Sequence, residues 1–157
     1  MRQIQIEPMS AEAFAPYGHV LPPAEIGRKV ELIEQLRNLR GSARARLGLT
    51  ALAPTSLPMT ITQLERHAFS SQAFVPTECE TYLVMVAPKG ADGMPDVAGL
   101  RAFRVPGTTG IIYGADVWHH PMTVLNAPAQ FVSVTFVDGT AADDEFAQLE
   151  TPLAITD

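Results

Sequence analysis

The chain has 157 residues, of which 46% are hydrophobic and 18% are charged, and its formal net charge is −6. This length and apolar content are typical of one compact domain that buries a core without disulfides. The negative charge excludes general nucleic-acid binding, which needs a broad basic surface. The apolar content also favours contact with a partner subunit.

The cysteine count and the N-terminus indicate the compartment. Cys79 is the only cysteine, so neither an intramolecular disulfide nor a cysteine metal cluster can form, and a reducing environment is indicated. No apolar run follows Arg2, and the most apolar stretch, Tyr82 to Ala87, is too short to span a bilayer. We therefore predict a cytoplasmic protein that does not enter the membrane.

The N-terminal part predicts one strand and two helices. Gln3–Ile6 alternates polar and apolar residues, as a strand does, and Ser10 can cap a short helix over Ala11–Phe14. A second helix is predicted over Arg28–Leu39, because its apolar residues fall on one helical face. These residues are Leu32, Ile33, Leu36 and Leu39.

From residue 45 onwards, short apolar or alternating runs are separated by Pro and Gly, which predicts a mainly β antiparallel sandwich or barrel. One domain over residues 1–157 is expected. The acidic segment 139–157 is sparsely apolar, so we expect it to be only partly ordered and to pack through Phe146 and Leu149. The predicted strands are Ala45–Leu52, Met59–His67, Ala73–Val75, Tyr82–Ala87, Leu100–Val105, Gly110–Tyr113 and Gln130–Val137.

Two adjacent histidines, His119 and His120, lie between the only tryptophan and Pro121. Strand neighbours point to opposite faces, so one ring can face an interior while the other faces a wall or an interface. The pleat places Trp118 with His120 and Val117 with His119, although a bend near Pro121 can change this. The alternative is a structural pair at a strand end, with one ring solvated.

A regular strand over Met59–His67 places Glu65 and His67 on one face, opposite Arg66. This strand end supplies a carboxylate, a fixed cation and a group that titrates near neutrality, which suits a small anion. The alternative is a charged strand terminus at the rim of a barrel.

Further polar residues, Gln72 and Glu80, precede the most apolar strand, where polar side chains often form the mouth of a pocket. Imidazole and carboxylate groups suit nickel, iron, manganese or zinc. His67, His119 and His120 therefore form a candidate divalent-metal set together with Gln72 and Glu80. Their spacing has no strict metal-binding signature.

Basic residues are concentrated between Arg28 and Arg46, with Glu31 and Glu34 interleaved. This mixture favours the polar face of a surface helix and the strand that follows it. The alternative is a patch for an anionic ligand.

Four segments resemble the ureidoglycolate lyase family, also called ureidoglycolate hydrolase. They are FAPYGHVL (14–21), LERHAFSSQAFVP (64–76), LRAFRV (100–105) and PGTTGIIYGADVWHHPM (106–122). The matching segments occur in the same order as in the family, and the resemblance extends from about Phe14 to Val137. It implies a cupin-like double-stranded β-helix that forms a homodimer and splits ureidoglycolate into glyoxylate and urea during allantoin breakdown.

The resemblance also implies roles for individual residues. His67, His119 and His120 are the candidates for acid–base catalysis or for binding a divalent metal such as nickel or manganese. The substrate is a small carboxylate, which a cation or a set of hydrogen-bond donors must hold. The other implied site residues are Gln72 and Glu80 as substrate contacts, Arg66 or Arg104 as the carboxylate clamp, and Tyr113 and Trp118 as pocket walls.

Two stretches depart from the family pattern. Family members carry Arg-aromatic-His-Asp-Leu-Ala ahead of the Leu-Glu-Arg-His strand, whereas residues 28–46 contain no histidine. The family's last strand commonly ends in Asp-Arg, but here Val137 is followed by Asp138 and Gly139. Two other functions therefore stay open: a non-catalytic module that binds or senses small carboxylates, and a metal-dependent cupin enzyme acting on another small hydroxy or keto acid.

Overall fold

The computed structural model describes residues 1–157 as twelve strands, one short α-helix and one 3₁₀ turn. In chain order they are β1 (Arg2–Pro8), α1 (Ala11–Phe14), β2 (Gly18–Leu21), β3 (Arg44–Leu52), β4 (Met59–Arg66), β5 (Gln72–Glu78), β6 (Thr81–Ala87), the 3₁₀ turn (Val97–Gly99), β7 (Arg101–Pro106), β8 (Gly110–Tyr113), β9 (Trp118–His119), β10 (Thr123–Leu125), β11 (Ala129–Val137) and β12 (Glu145–Thr156). Neither helical element approaches the length and apolar character needed to cross a lipid bilayer.

The strands form two sheets. The larger has seven strands in the order β10-β6-β7-β1-β12-β4-β9, and an additional pairing of β9 with β6 closes it into a barrel. The smaller has five strands in the order β2-β8-β5-β11-β3. Most pairs are antiparallel, but β1 runs parallel to both β7 and β12. The predicted mainly β, cupin-like barrel is confirmed.

Strand β6 shows how the core is divided. Leu83 and Met85 point into a cluster inside the barrel, whereas Tyr82 and Val84 point into a second cluster between the barrel and the five-stranded sheet. All four side chains are at most 1% exposed. A strand buried on both faces reads as a continuous apolar run rather than an alternating one.

The first predicted helix is confirmed and the second is wrong. The Ser10 hydroxyl accepts a hydrogen bond from the Ala13 amide at 3.1 Å and caps α1. Residues 28–39 form no helix, and Val30 and Ile33 are 65% and 73% exposed. A helix of this length needs an apolar surface to pack against, and these residues have none here. The end of the segment is held instead by extended contacts, such as the Leu39 amide with the Phe69 carbonyl.

The expectation of a partly ordered C-terminal segment requires correction. Residues 145–156 form the longest strand, β12, which lies between β1 and β4. Leu149 is buried as expected, and Leu153 and Ile155 are also buried, but Phe146 is 58% exposed. An irregularity between Gln148 and Leu153 interrupts the alternation of apolar residues, which hides the strand from a periodicity argument.

The seven strands predicted between residues 45 and 137 all correspond to observed strands, with differences at their ends. Three short strands, β2, β9 and β10, were not predicted. They have between two and four residues each, which is too few for a periodic pattern to show.

Candidate functional site

The candidate site lies between the two sheets. From the barrel, Glu65 at the end of β4 is directly opposite His119 of β9. From the five-stranded sheet, Gln72 of β5 is directly opposite Tyr113 of β8. His67 directly follows β4. The site therefore takes side chains from both sheets, as the double layer of a cupin-like fold permits.

The His119 ring is held on three sides. Its Nδ1 lies 2.9 Å from the Val117 carbonyl oxygen, to which it can donate a proton. The Tyr113 ring stacks on it, with centroids 4.1 Å apart and an interplanar angle of 15°. Its Nε2 lies 3.4 Å from Oε1 of Glu65, an ion-pair distance. These contacts fix the imidazole with Nε2 facing the carboxylate.

The His67 ring is fixed in the same manner. Its Nδ1 lies 3.0 Å from the Asp143 carbonyl oxygen and 3.0 Å from Oδ1 of Asp144. Because these oxygens only accept, Nδ1 is the nitrogen that donates a proton to them, and the other nitrogen, Nε2, faces the cluster. The ring centroids of His67 and His119 are 5.3 Å apart.

Four buried polar atoms in this cluster make no hydrogen bond of regular geometry within the protein, although His119 Nε2 lies 3.4 Å from the Glu65 carboxylate. They are His67 Nε2, His119 Nε2, Gln72 Oε1 and the Tyr113 hydroxyl. Buried polar groups are nearly always paired, so four unpaired atoms in one place indicate a site for a ligand. The remaining unpaired atoms belong to the guanidinium of Arg40, which is ion-paired.

The site holds a carboxylate and a neutral phenol. Burial raises the pKa of the Glu65 carboxyl, but the contact with His119 and the charges of the neighbouring imidazoles outweigh burial, and the net pKa lies below its ordinary value. Burial raises the pKa of Tyr113 well above the ordinary phenol value, so its hydroxyl stays protonated. Burial also lowers the pKa of His120 and so favours its neutral form.

Glu65, His67 and His119 form a group that can hold a divalent metal. Their ligand atoms all lie within 4.8 Å of one another. Two imidazoles whose Nδ1 atoms are held by carbonyl oxygens, plus one carboxylate, make a common donor set for transition metals. His120 is not part of this group. Its Nδ1 lies 2.9 Å from the Pro121 carbonyl oxygen and 3.3 Å from the Thr123 hydroxyl.

The arginine of the Leu-Glu-Arg-His strand end points away from the cluster. Arg66 pairs with Glu145 at 2.6 Å and with Asp116 at 2.9 Å. Its guanidinium lies over the Trp118 ring, 4.6 Å from the centroid. Trp118 belongs to the cluster inside the barrel, so it lies on the opposite side of β9 from His119. Its indole N–H donates to the Gly93 carbonyl at 3.0 Å.

Two further residues predicted for the site have partners of their own elsewhere. Glu80 is exposed and accepts a hydrogen bond from the Asn126 amide at 2.8 Å. Arg104 forms an ion pair with Asp157 near the C-terminus. The structure thus brings together His67, His119, Gln72 and Tyr113, with His120 beside them, and leaves Glu80 and Arg104 outside.

The sequence patterns did not single out Asp143 and Asp144, and they treated Glu65 only as a neighbour of His67. The spacing of Glu65 and His67, two residues apart, carried the signal for a shared face. Asp143 and Asp144 lie in the segment expected to be partly ordered, where no pattern pointed to a contact with a histidine.

A partly buried ion network holds the loop that fixes His67. The Arg40 guanidinium contacts Asp138 at 2.9 Å and Asp143 at 2.7 Å. The Asp143 carboxylate also accepts the amide protons of Asp138 at 3.0 Å and Gly139 at 2.8 Å. The bond from the Asp138 amide is the main reason that the pKa of Asp143 lies below its ordinary value. This network presents the Asp143 carbonyl to His67.

The chain is similar to known ureidoglycolate lyases along its length. The family model described as ureidoglycolate lyase matches residues 1–156. A ureidoglycolate lyase of Burkholderia mallei is 34% identical over 143 residues, which cover 85% of this chain and 82% of the relative. A ureidoglycolate lyase of Escherichia coli is 35% identical over 147 residues, which cover 84% of this chain and 86% of the relative.

Fold and site together define a cupin-like β-barrel protein with a centre of histidine and carboxylate side chains between its sheets. The similarity to ureidoglycolate lyases extends over nearly the whole chain, so it identifies one family within this class of proteins. The chain belongs to the ureidoglycolate lyase family.

Proposed function

We propose that this protein splits ureidoglycolate into glyoxylate and urea at the cluster of Glu65, His67, Gln72, Tyr113 and His119. The observation that supports this most directly is the set of four buried, unpartnered polar atoms in the cluster. Acceptors and donors of this kind match a small, highly polar substrate. Glu65 keeps 17% of its side chain exposed, so the cluster is reached from solvent on that side.

The reaction is an elimination and needs one base and one acid. Nε2 of His67 takes the proton of the substrate hydroxyl as the carbonyl of glyoxylate forms. The bond from this carbon to the ureido nitrogen breaks, and the leaving nitrogen receives a proton from Nε2 of His119. The Glu65 carboxylate stabilises the protonated form of His119 before transfer. Proton exchange with solvent then restores both rings, and no covalent intermediate is required.

Gln72 and Tyr113 are assigned to the ureido group. Its N–H donors match the unpartnered Oε1 of Gln72, and its carbonyl oxygen can accept the Tyr113 hydroxyl proton. A site whose buried polar groups are satisfied only by the correct substrate rejects analogues that lack those groups.

Glu65, His67 and His119 would hold a divalent cation such as nickel or manganese, and with an ion on their Nε2 atoms the two imidazoles would serve as ligands instead of as the base and the acid. Such a cation would supply Lewis acidity toward the substrate oxygens. Nδ1 of each histidine is held by a carbonyl oxygen, so both rings present Nε2 in either case.

The test is to incubate the purified protein with ureidoglycolate and to follow glyoxylate and urea, with chelator and with added nickel or manganese. We expect release of both products well above the spontaneous decay, and the double variant with His119→Ala and His120→Ala should fold but lose activity. Arg28→Gln, at an exposed residue paired with Glu25, is the control. Turnover no faster than spontaneous decay under every condition would contradict the proposal.

A homodimer is part of the proposal. The outer face of the five-stranded sheet is apolar and open, since Leu47, Leu49 and Val75 are 70%, 81% and 46% exposed. Val132 lies directly opposite both Leu49 and Val75, which makes the patch continuous over three strands. Patches of this kind commonly mark subunit contacts. Light scattering on the wild type and on Leu49→Lys tests it, since the variant should have a lower mass.

The cellular setting completes the proposal. Cys79 is free, which agrees with a reducing compartment, and we place the protein in the cytoplasm. The reaction belongs to allantoin degradation, where ureidoglycolate is consumed. Cell fractionation tests the location.

A further inference from the structure

The proposed substrate carries a carboxylate, and the cluster itself holds no arginine or lysine to receive it. Glu65 is negative, so the carboxylate must lie at the far end of the site from Glu65. Two guanidinium groups in the surroundings are already paired: Arg66 with Glu145 and Asp116, and Arg40 with Asp138 and Asp143. A cation that serves the substrate is therefore to be sought among the basic side chains that have no partner.

Three of the 11 basic side chains have neither an ion pair nor a hydrogen bond in the structure. They are Arg37, Arg44 and Arg46. Arg44 and Arg46 lie on β3, and both are exposed. An exposed arginine without a partner is free to bind an anion from solution.

The alternation along β3 places Arg46 on the face that looks toward the barrel. Leu52 packs against the cluster between the sheets, and the pairing with β11 runs without irregularity from Leu52 to Arg44. Every second residue therefore shares the inward face with Leu52, which includes Gly48, Arg46 and Arg44, but Arg44 pairs with Val137 and so lies farther than Arg46 from the pairing of β11 with β5. A Cβ built on Gly48 would lie 2.5 Å from the Ser133 hydroxyl oxygen, so the Ser133 side chain covers Gly48 on this face, next to Arg46.

Arg46 belongs to the same row of the sheet as the residues of the cluster. It pairs with Thr135 of β11, and Gln72 of β5 pairs with Tyr113 of β8. Val134 of β11 is directly opposite Ala73 of β5, and the strands are antiparallel. If the same register continues by one residue, Thr135 is opposite Gln72. Strands lie roughly 4.8 Å apart, which puts Arg46 about 10 Å from Gln72 across the sheet.

We propose that Arg46 binds the carboxylate of ureidoglycolate while Gln72 receives its ureido end. The inference rests on the proposed lyase function and assigns to Arg46 the clamp expected at Arg66 or Arg104. An arginine binds a carboxylate through two parallel hydrogen bonds, which fixes the orientation of the substrate as well as its affinity. The negative Glu65 at the other end enforces the same orientation.

The test compares Arg46→Gln with Arg46→Lys, Arg44→Gln and Arg28→Gln. For Arg46→Gln we expect KM for ureidoglycolate to rise roughly tenfold to a hundredfold, because a charge-assisted contact is lost, with a smaller change in kcat. Arg46→Lys should recover part of the loss. The wild type should prefer ureidoglycolate over its carboxamide analogue, and Arg46→Gln should lose most of this preference. Melting temperatures should stay unchanged, since Arg46 is exposed and unpaired.

The outcomes separate the two proposals. If the wild type is active but Arg46→Gln keeps its KM and its preference for the carboxylate, the clamp is wrong and the lyase function stands. A larger effect for Arg44→Gln than for Arg46→Gln also overturns the assignment. If the wild type is inactive, the lyase proposal fails, and calorimetric titration with glyoxylate and oxalate still tests Arg46: weaker binding by Arg46→Gln supports it, and equal binding overturns it.

Discussion

Glu65 and His119 lie directly opposite each other across β4 and β9, and their side chains meet with Oε1 of Glu65 3.4 Å from Nε2 of His119. Strand β9 has only two residues, yet it pairs with both β4 and β6 and closes the barrel. The histidine that faces the carboxylate is therefore placed by the same backbone contacts that complete the fold.

Replacing Glu65 by Gln should lower kcat by about two orders of magnitude, because the neutral amide cannot stabilise the protonated form of His119. The variant keeps the size of the side chain. Rates of glyoxylate release by the variant and by Glu34→Gln, a change at an exposed glutamate, give the comparison. A wild-type rate for Glu65→Gln would exclude an electrostatic role.

The pH dependence of stability should also change in Glu65→Gln. The pKa of Glu65 in the folded protein lies below its ordinary value, so the ionised carboxylate stabilises the fold above that ordinary value. This contribution is lost as the pH falls through the folded pKa. Melting temperatures measured from neutral pH down to about pH 3 should therefore show the wild type losing its advantage over the variant. A difference in melting temperature between wild type and variant that stays constant over this pH range would contradict the lowered pKa of Glu65.

Tyr113→Phe should fold normally but act more slowly. The ring that stacks on His119 is kept, while the buried hydroxyl that has no protein partner is removed. We expect kcat/KM to fall roughly tenfold to a hundredfold if this hydroxyl serves the substrate, as for one lost hydrogen bond. The melting temperature should be unchanged or higher, since a buried unpaired hydroxyl is costly. A lower melting temperature with full activity would assign the hydroxyl to the fold instead.

Added nickel or manganese should raise the melting temperature of the wild type, because a ligand that binds only the folded state stabilises it. Replacing His67 by Asn should abolish the increase, since it removes one of the three donors. His120→Asn is the matched control, because His120 lies outside the donor group. An equal increase in both variants would place the ion elsewhere.

Ile155→Ala should destabilise the protein by about 2 to 5 kcal/mol, as a large-to-small change in a closed core does. Ile155 is fully buried in β12. Phe146→Ala in the same strand removes a larger but 58% exposed side chain and should cost much less. Urea denaturation at neutral pH measures the free energy of unfolding of both variants and of the wild type. Equal losses would mean that β12 is not part of the barrel core.

The regular parts of the fold were accessible to sequence reasoning because their apolar residues follow the period of a strand. Strand β6 reads as an uninterrupted apolar run because both of its faces are buried. Periodicity failed at residues 28–39, where the apolar residues have the spacing of a helix but no surface to pack against. It failed again in β12, whose irregular stretch breaks the alternation.

Only part of the site was predicted, because residue types are visible in the sequence and the partners of charged side chains are not. His67 and His119 are recognisable by residue type, and the strand pairing brings them together as expected for a shared pocket. The sequence does not show which charged groups are already paired. Arg66 stands next to His67 in the chain, yet the pleat turns it to the other face, where Glu145 and Asp116 bind it. Such pairing depends on residues far away in sequence.

The position of β1 has a consequence for biosynthesis. This strand lies between β7 and β12, and Arg2 is in register with Leu153, so the two ends of the chain are neighbours in the barrel. During translation the first strand leaves the ribosome long before its partner exists, and the barrel cannot close until the last residues have emerged. The barrel therefore closes only after β12 has been made, and until then one edge of β1 stays open to other chains.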